Sequence, residues 1–478
     1  MGWSADAVEF VHARRAEERV PVEAVEQVTD RQRLSNLLDL ERRTYVERNP
    51  KSLAAYESAG NLFGRVPMTW MAKNAGGFPL YLDRARGARV TDLDGHEMTD
   101  FCLGDTAAMA GHSPPATVTA VTDRLARAGG ATTMMPTEDA SVVGAELSRR
   151  FGVPQWSFSL TATDANRWAL RIARAATGRP RILVNSYCYH GTVDESLIVT
   201  GDVGAEPRPG NVGAPCDVTL TSRVAEYNDL DGLERELANG DVAAVLMEPA
   251  LTNMGIVLPE PGYLEGVRRL TRDSGVLLIN DETHTISAGP GGCTRAWDLA
   301  PDVVTVGKAI GGGIPIGAYG LSAELVDRLE ARADLDLVDT GGVGGTLAGN
   351  ALSLAATRAT LSEVLTDTAF DGMIAQATRY TAGVQHLIDT YQLPWSVTQL
   401  GARAEYRFAR PAPRSGTDSH RATDVELEDY LHLFLVNRGV LLTPFHNMAL
   451  MSPVTTAADV DTHLELLGAA VRTLVEGR

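Results

Sequence analysis

From residue 118 to about residue 329, short apolar runs rich in Val, Ile and Leu alternate with longer stretches of helical spacing. Few folds accommodate that alternation. A run that is apolar at every position must be buried on both faces, which a parallel sheet covered by helices provides and a half-solvated antiparallel sheet does not. The runs 157–160, 182–184, 242–247, 276–279 and 303–306 read as strands. Between them Ala165, Trp168, Ala169, Ile172 and Ala173 keep helical spacing, and Leu264, Val267, Leu270 and Thr271 keep it less strictly. In open sheets of this kind ligands bind outside the carboxyl ends of the strands. The notable polar residues fall there: Thr161 to Asp164, Tyr189-His190, Glu248, Asp281 and Lys308 each follow a predicted strand.

The flanks read differently. Leu34, Leu37, Leu38 and Leu40 form an apolar stripe in a helical segment. Residues 78–103 change to short alternating runs, and Asp92-Leu93-Asp94-Gly95 suits a tight hairpin within a small β-meander. A glycine-rich linker at 339–345 precedes a helix at 350–365, a mixture of strands and helix at 397–445, and a final amphipathic helix at 457–475. Residues 410–420 read as a mobile loop.

Charge and composition exclude several functions. With 61 acidic against 43 basic side chains, the net charge of −18 opposes broad binding to nucleic acid or anionic membranes. No run approaches the roughly 18 apolar residues of a membrane span. The first twenty residues mix Asp, Glu, Arg and Trp instead of forming a secretory signal, so the cytoplasm is the expected compartment. Cys102, Cys188, Cys216 and Cys293 are too few and too scattered for a disulfide scaffold and read as reduced thiols. No CxxC or HExxH spacing points to a metal, and no GxGxxG after the first strand or GxxxxGK[ST] points to a nucleotide.

One count directs attention to a single residue. The chain has 40 arginines and three lysines, Lys51, Lys73 and Lys308. Arginine neither loses its proton near neutral pH nor forms a Schiff base, whereas a desolvated lysine does both. Lys51 and Lys73 lie in polar sequence and read as surface charges. Lys308 follows the buried run Val303-Val304-Thr305-Val306 and precedes Gly311-Gly312-Gly313, so a strand delivers it into a backbone-rich turn. A lysine and an aspartate at neighbouring strand ends suit pyridoxal phosphate, which needs an amine for its aldehyde and an anion for its pyridine nitrogen. Asp281 supplies the anion on this reading, or else caps the next helix. Thr161-Ala162-Thr163, between strand and helix, offers backbone N–H groups to a phosphate, though many helices begin with Thr. Tyr189-His190-Gly191 puts an aromatic face beside a glycine, suited to stacking on a ring.

These residues resemble the class III aminotransferases of the pyridoxal-phosphate fold type I superfamily, especially the glutamate-1-semialdehyde aminomutase-like and β-amino-acid aminotransferase branch. The similarity runs from about Asn61 to Leu474 and is most specific in the segment 301–320 around Lys308. It implies a large domain with a mixed, mostly parallel seven-stranded sheet and a smaller α+β domain built from both terminal segments. The expected division is a helical extension at 1–60, the first part of the small domain at 61–104, the cofactor domain at 105–344 and the rest of the small domain at 345–478. The resemblance further implies that Lys308 holds pyridoxal 5'-phosphate as an internal aldimine, that Asp281 pairs with the pyridine nitrogen, and that Tyr189 and Thr283 enclose the ring. Glu248 and Asn253 follow a strand end that approaches the cofactor's phenolic oxygen, and Tyr189-His190-Gly191 matches the stacking motif. Gly345-Thr346 resembles a pair that reaches the phosphate across a homodimer interface.

The sequence departs from the family in four places, one of them Thr443-Pro444-Phe445-His446-Asn447, a region that often contributes to substrate binding and here contains no arginine. The phosphate cup, usually Ser-Gly-Thr-Glu-Ala, reads Thr161-Ala162-Thr163-Asp164-Ala165, and Thr283 stands for a common valine. The aminomutase Pro-Val-Arg segment is replaced by Arg65-Val66-Pro67-Met68-Thr69-Trp70, where Arg65 and Trp70 are the expected substrate wall. The activity expected is an aminotransferase acting between an amino acid or amine and a keto acid; the runner-up is an aminomutase or an epimerase. The implied partners are small molecules and a second copy of the chain.

Overall fold

The computed structural model describes residues 30–332, 334–335 and 342–477; the first 29 residues and the start of the glycine-rich linker, 339–341, lie outside that description. Helices Arg31–Arg48 and Pro50–Ser58 open the described chain. In the first, Leu34, Leu38, Glu41 and Tyr45 are buried at spacings of three and four, which makes one face. Glu41 is tolerated there because Asn437 and Arg438 donate to its carboxylate at 2.8–2.9 Å.

Strands β1 (Leu82–Arg86), β2 (Arg89–Asp92) and β3 (Glu97–Asp100) form an antiparallel meander. The expected hairpin lies between β2 and β3, where Gly95 N–H closes the turn on Asp92 O and Gly95 takes a φ of 93°.

Nine further elements build the large sheet and its hairpin: β4 (Gln155–Ser159), β5 (Arg181–Asn185), β6 (Ile198–Gly201), β7 (Gly204–Pro207), β8 (Ser222–Ala225), β9 (Val242–Met247), β10 (Leu277–Asp281), β11 (Val303–Gly307) and β12 (Gly317–Leu321). The order is β4-β12-β11-β10-β9-β5-β8, and the chain is antiparallel only where β12 meets β11 and β4. Every residue of β9, β10 and β11 is buried, as continuous apolar runs demand. The expected mixed, mostly parallel seven-stranded sheet is therefore present. Strand β12 escaped the sequence reading because it carries glycines at 317 and 320. A Cβ at Gly317 would overlap Thr161 O, and one at Gly320 would meet the Trp156 ring at 2.6 Å.

The C-terminal segment adds β13 (Ser396–Leu400), β14 (Arg403–Arg407), β15 (Val440–Leu441) and β16 (Met448–Leu450). Strand β15 pairs in parallel with β3, so both terminal segments share one sheet; β13, β14 and β16 form another. The final helix Ala457–Glu476 starts at a capping box of Thr456 and Asp459. Within the expected mobile loop, Gly416–Arg421 is helical with Ser415 as N-cap, and its His420 stacks on Tyr187 at 4.4 Å. That stacking is a contact distant in sequence and gives no local signal.

Candidate active site

The carboxyl ends of β5, β9, β10 and β11 lie side by side because these strands are parallel neighbours. At the end of β11, Lys308 turns into a left-handed conformation with φ 48°. Asp302 sets this strand's register, accepting from Leu278 N at 2.8 Å while Arg268 clamps its carboxylate at 2.7 and 3.0 Å. The Lys308 side chain is 28% exposed, and Lys51 and Lys73 are exposed. Its Nζ donates to Asp105 Oδ2 at 2.8 Å and Asp105 O at 3.0 Å, and lies 2.8 Å from His284 Nε2.

Asp281 ends the neighbouring strand β10, fully enclosed. Its Oδ1 accepts from Thr283 N at 3.0 Å; its Oδ2 accepts from Asn166 Nδ2 at 2.8 Å and lies 2.9 Å from His190 Nδ1. Burial alone would raise the carboxyl pKa. The hydrogen bond and charge of His190, with the bonds from Thr283 and Asn166, outweigh it and bring the pKa down to about 2. His190, against the opposing effect of burial, is raised well above 6.5 by Cys188 and Asp281. The site thus keeps a fixed anion beneath its floor. The next residue, Glu282, accepts from Cys293 N at 3.0 Å and from the Thr285 hydroxyl at 2.5 Å, so it anchors the following turn.

The helix Ala162–Thr177 begins beside these strand ends, with Thr161 as N-cap accepting from Asp164 N at 3.1 Å. Its first turn leaves backbone N–H groups at the positive end of the helix dipole, an anion cradle. Thr163 Oγ1 accepts from Thr192 N at 3.3 Å, which ties this turn to the loop after β5. Gly191 makes that approach possible: it adopts φ 78°, and a Cβ there would overlap Thr163 Oγ1. Tyr189, two residues earlier, remains 40% exposed. Asn253 donates to Tyr187 O at 2.9 Å and so fixes the same turn from β9's side. Glu248 is buried and accepts from the Thr252 hydroxyl; burial raises its pKa. Thr283 is buried.

The structure does not gather every predicted residue here. Arg65 donates to Glu57 O at 3.1 Å and lies 5.9 Å from the Tyr56 ring centre. Trp70 meets Phe445 edge-on at 6.1 Å, and Phe445 adjoins His446, which pairs with Glu405. Gly345 and Thr346 are exposed in this single chain. A surface cleft lined by His112, Pro114, Gly312 and Gly313 opens elsewhere and includes none of the strand-end residues.

Sequence reasoning missed Asn166, Asp105, His284 and Arg403. His284 carried a usable signal, since it stands three residues beyond Asp281. Asp105 carried none: it arrives through the turn Leu103 to Thr106, whose four residues all have positive φ, a strained segment held against Lys308. Burial pulls the His284 pKa well below 6.5, with Lys308 second. Arg403 Nη1 lies 3.2 Å from His284 Nδ1 and Lys308 Nζ 2.8 Å from its Nε2, so a cationic donor stands at each ring nitrogen and disfavours a charged imidazole.

Comparison with known proteins settles the family. The model for "Aminotransferase class-III" matches residues 70–471. The chain belongs to the class III aminotransferases. Glutamate-1-semialdehyde 2,1-aminomutase from Chloroflexus aggregans is 35% identical over 404 residues, spanning 82% of this chain and 90% of the relative. A lysine-to-alanine variant of glutamate-1-semialdehyde-aminomutase from Pseudomonas aeruginosa PAO1, solved in complex with PMP, superposes with a TM-score of 0.91. It is 46% identical, covering 93% of this chain and 99% of that one. An omega-transaminase from Sphaerobacter thermophilus is 30% identical with a TM-score of 0.80, covering 89% and 99%. The cofactor of this class III enzyme is pyridoxal phosphate, and the residues present fit it. A buried, ionised Asp281 would suit its charged nitrogen, and the N-terminus of the helix Ala162–Thr177 would suit its phosphate.

Proposed function

We propose that this enzyme moves an amino group within one amino-carboxylate substrate, as a 2,1-aminomutase, with glutamate 1-semialdehyde as the candidate. The observation that carries this reading is the 46% identity to an aminomutase over 99% of that chain. When bound, pyridoxal phosphate supplies an electron sink for the substrate carbon. The chain supplies the rest. Lys308 provides the amine that attaches the cofactor and, once released, carries a proton to and from the substrate carbon. Asp281, fixed by His190, Asn166 and Thr283, holds the proton on the cofactor nitrogen. Tyr189 and Thr283 would enclose the cofactor's ring, Asn253 and Glu248 would border its phenolic oxygen, and the Thr161-Ala162-Thr163 turn would bind its phosphate.

The working unit on this reading is a homodimer whose partner supplies Gly345-Thr346. Supporting it, Met134, Met135 and Leu347 are exposed, and Leu352 N donates to Ala131 O between their two segments.

One observation favours a second reading, transamination: Arg65, in the segment that stands for the aminomutase arginine, is engaged by Glu57 O and the Tyr56 ring. A single-substrate assay without added keto acid separates the two. Continued turnover supports the aminomutase. A stop after one equivalent of enzyme supports transamination and refutes it.

A further inference from the structure

The β6–β7 hairpin carries the chain back over the strand ends, and Arg208 is the first residue past it. Its position is fixed. The backbone N–H donates to Leu197 O at 2.9 Å, and Nη1 donates to Cys188 O at 2.8 Å. The guanidinium carbon lies 5.8 Å from the Tyr187 ring centre. The contact at Nη2 is the Met254 thioether at 3.9 Å, a weak acceptor.

Among the described residues Arg208 has no carboxylate partner. Arg208 is half-buried, and the fully buried guanidinium groups elsewhere do have one: Arg150 pairs with Glu146 at 2.7 Å, Arg407 with Glu428 at 3.5 Å and Arg403 with Glu405 at 3.6 Å. Burial is the largest influence on Arg208 and disfavours its charge. A half-buried cation with no counter-charge gains a charge-assisted hydrogen bond when an anion arrives.

Its location identifies the anion. Cys188, whose carbonyl Arg208 holds, adjoins Tyr189, and Met254 adjoins Asn253, so the guanidinium spans the two loops that follow β5 and β9 at the strand ends beside Lys308. We infer that Arg208 anchors a substrate carboxylate, making this a site for amino acids and not for simple amines. The inference rests on the reading that Lys308 carries the cofactor.

The test uses cofactor-loaded wild type, Arg208→Gln and Arg208→Lys, with folding checked by circular dichroism. Cofactor absorbance is titrated with ω-amino acids from β-alanine to 6-aminohexanoate and with n-alkylamines of matching length. Calorimetry measures the matching monocarboxylates, which lack an amine and do not react. In Arg208→Gln the best-bound amino acid and monocarboxylate weaken about 10- to 150-fold, the value of a charge-assisted pair, while the alkylamines shift less than about twofold. Arg208→Lys falls between, keeping charge but losing the planar fork. Equal weakening of acids and amines, or no weakening of the acids, overturns the assignment. An absence of any amine-dependent spectral change in wild type refutes the Lys308 reading instead, and the monocarboxylate calorimetry still decides on Arg208.

Discussion

Replacing Asp281 with Asn keeps the shape of the side chain and removes its charge, and the structure dictates what that costs. Oδ1 keeps its bond from Thr283 N, but the new amide nitrogen faces two donors, Asn166 Nδ2 and His190 Nδ1. Asn166 cannot turn over to help, because its Oδ1 takes the Thr305 hydroxyl at 2.6 Å and its Nδ2 also serves His190 O. The variant therefore loses a charge-assisted bond and strands a buried donor, together roughly 3 to 5 kcal/mol. Urea unfolding of the cofactor-free proteins at pH 6 measures it. The sign with pH follows. The Asp281 pKa is lowered from 3.8 to about 2 in the fold, so its contribution is complete above 3.8 and fades as pH falls towards 2. The His190 pKa is raised above 6.5, so its share is complete below 6.5 and fades only as pH rises through the raised value. The gap between the proteins is therefore widest between about pH 4 and 6.5. A gap under about 1 kcal/mol there, or one that widens below pH 4, refutes an ionised Asp281.

Two other perturbations read the same site. Gly191→Ala, placing a methyl on Thr163 at φ 78°, destabilises the fold by about 2 kcal/mol or more and weakens cofactor binding at least about tenfold, measured by equilibrium dialysis; wild-type affinity would show that the loop and cup are independent. His284, held below 6.5 by burial and by Lys308, stays neutral, so its ring resonances in NMR spectra of the cofactor-free protein do not titrate between pH 5.5 and 8, and a midpoint near 6.5 contradicts the enclosed cluster.

What the sequence revealed depended on how locally each signal was written. Strands β9, β10 and β11 were legible because burial on both faces forces an unbroken apolar run, and Lys308 stood out because the chain uses arginine for nearly every other cation. The cup was legible as a strand-to-helix turn. Asp105 was not, because a turn of positive φ brings it to Lys308 from 203 positions away. Arg403 reaches His284 from a strand whose buried charges look, in sequence, like an exposed alternating strand. Arg65 lies in the segment that stands for the family's arginine, and its surroundings, Glu57 and Tyr56, depend on the local turn at Gly64.

Of three primary side-chain amines in the protein, two are exposed and one stands at the end of β11. Borohydride reduction of the cofactor-loaded enzyme followed by peptide mapping asks which of them is bonded to pyridoxal phosphate. The expected result is one equivalent of reduced pyridoxyl label on Lys308 and none on Lys51 or Lys73. Label on either exposed lysine, or none on the loaded protein, contradicts it.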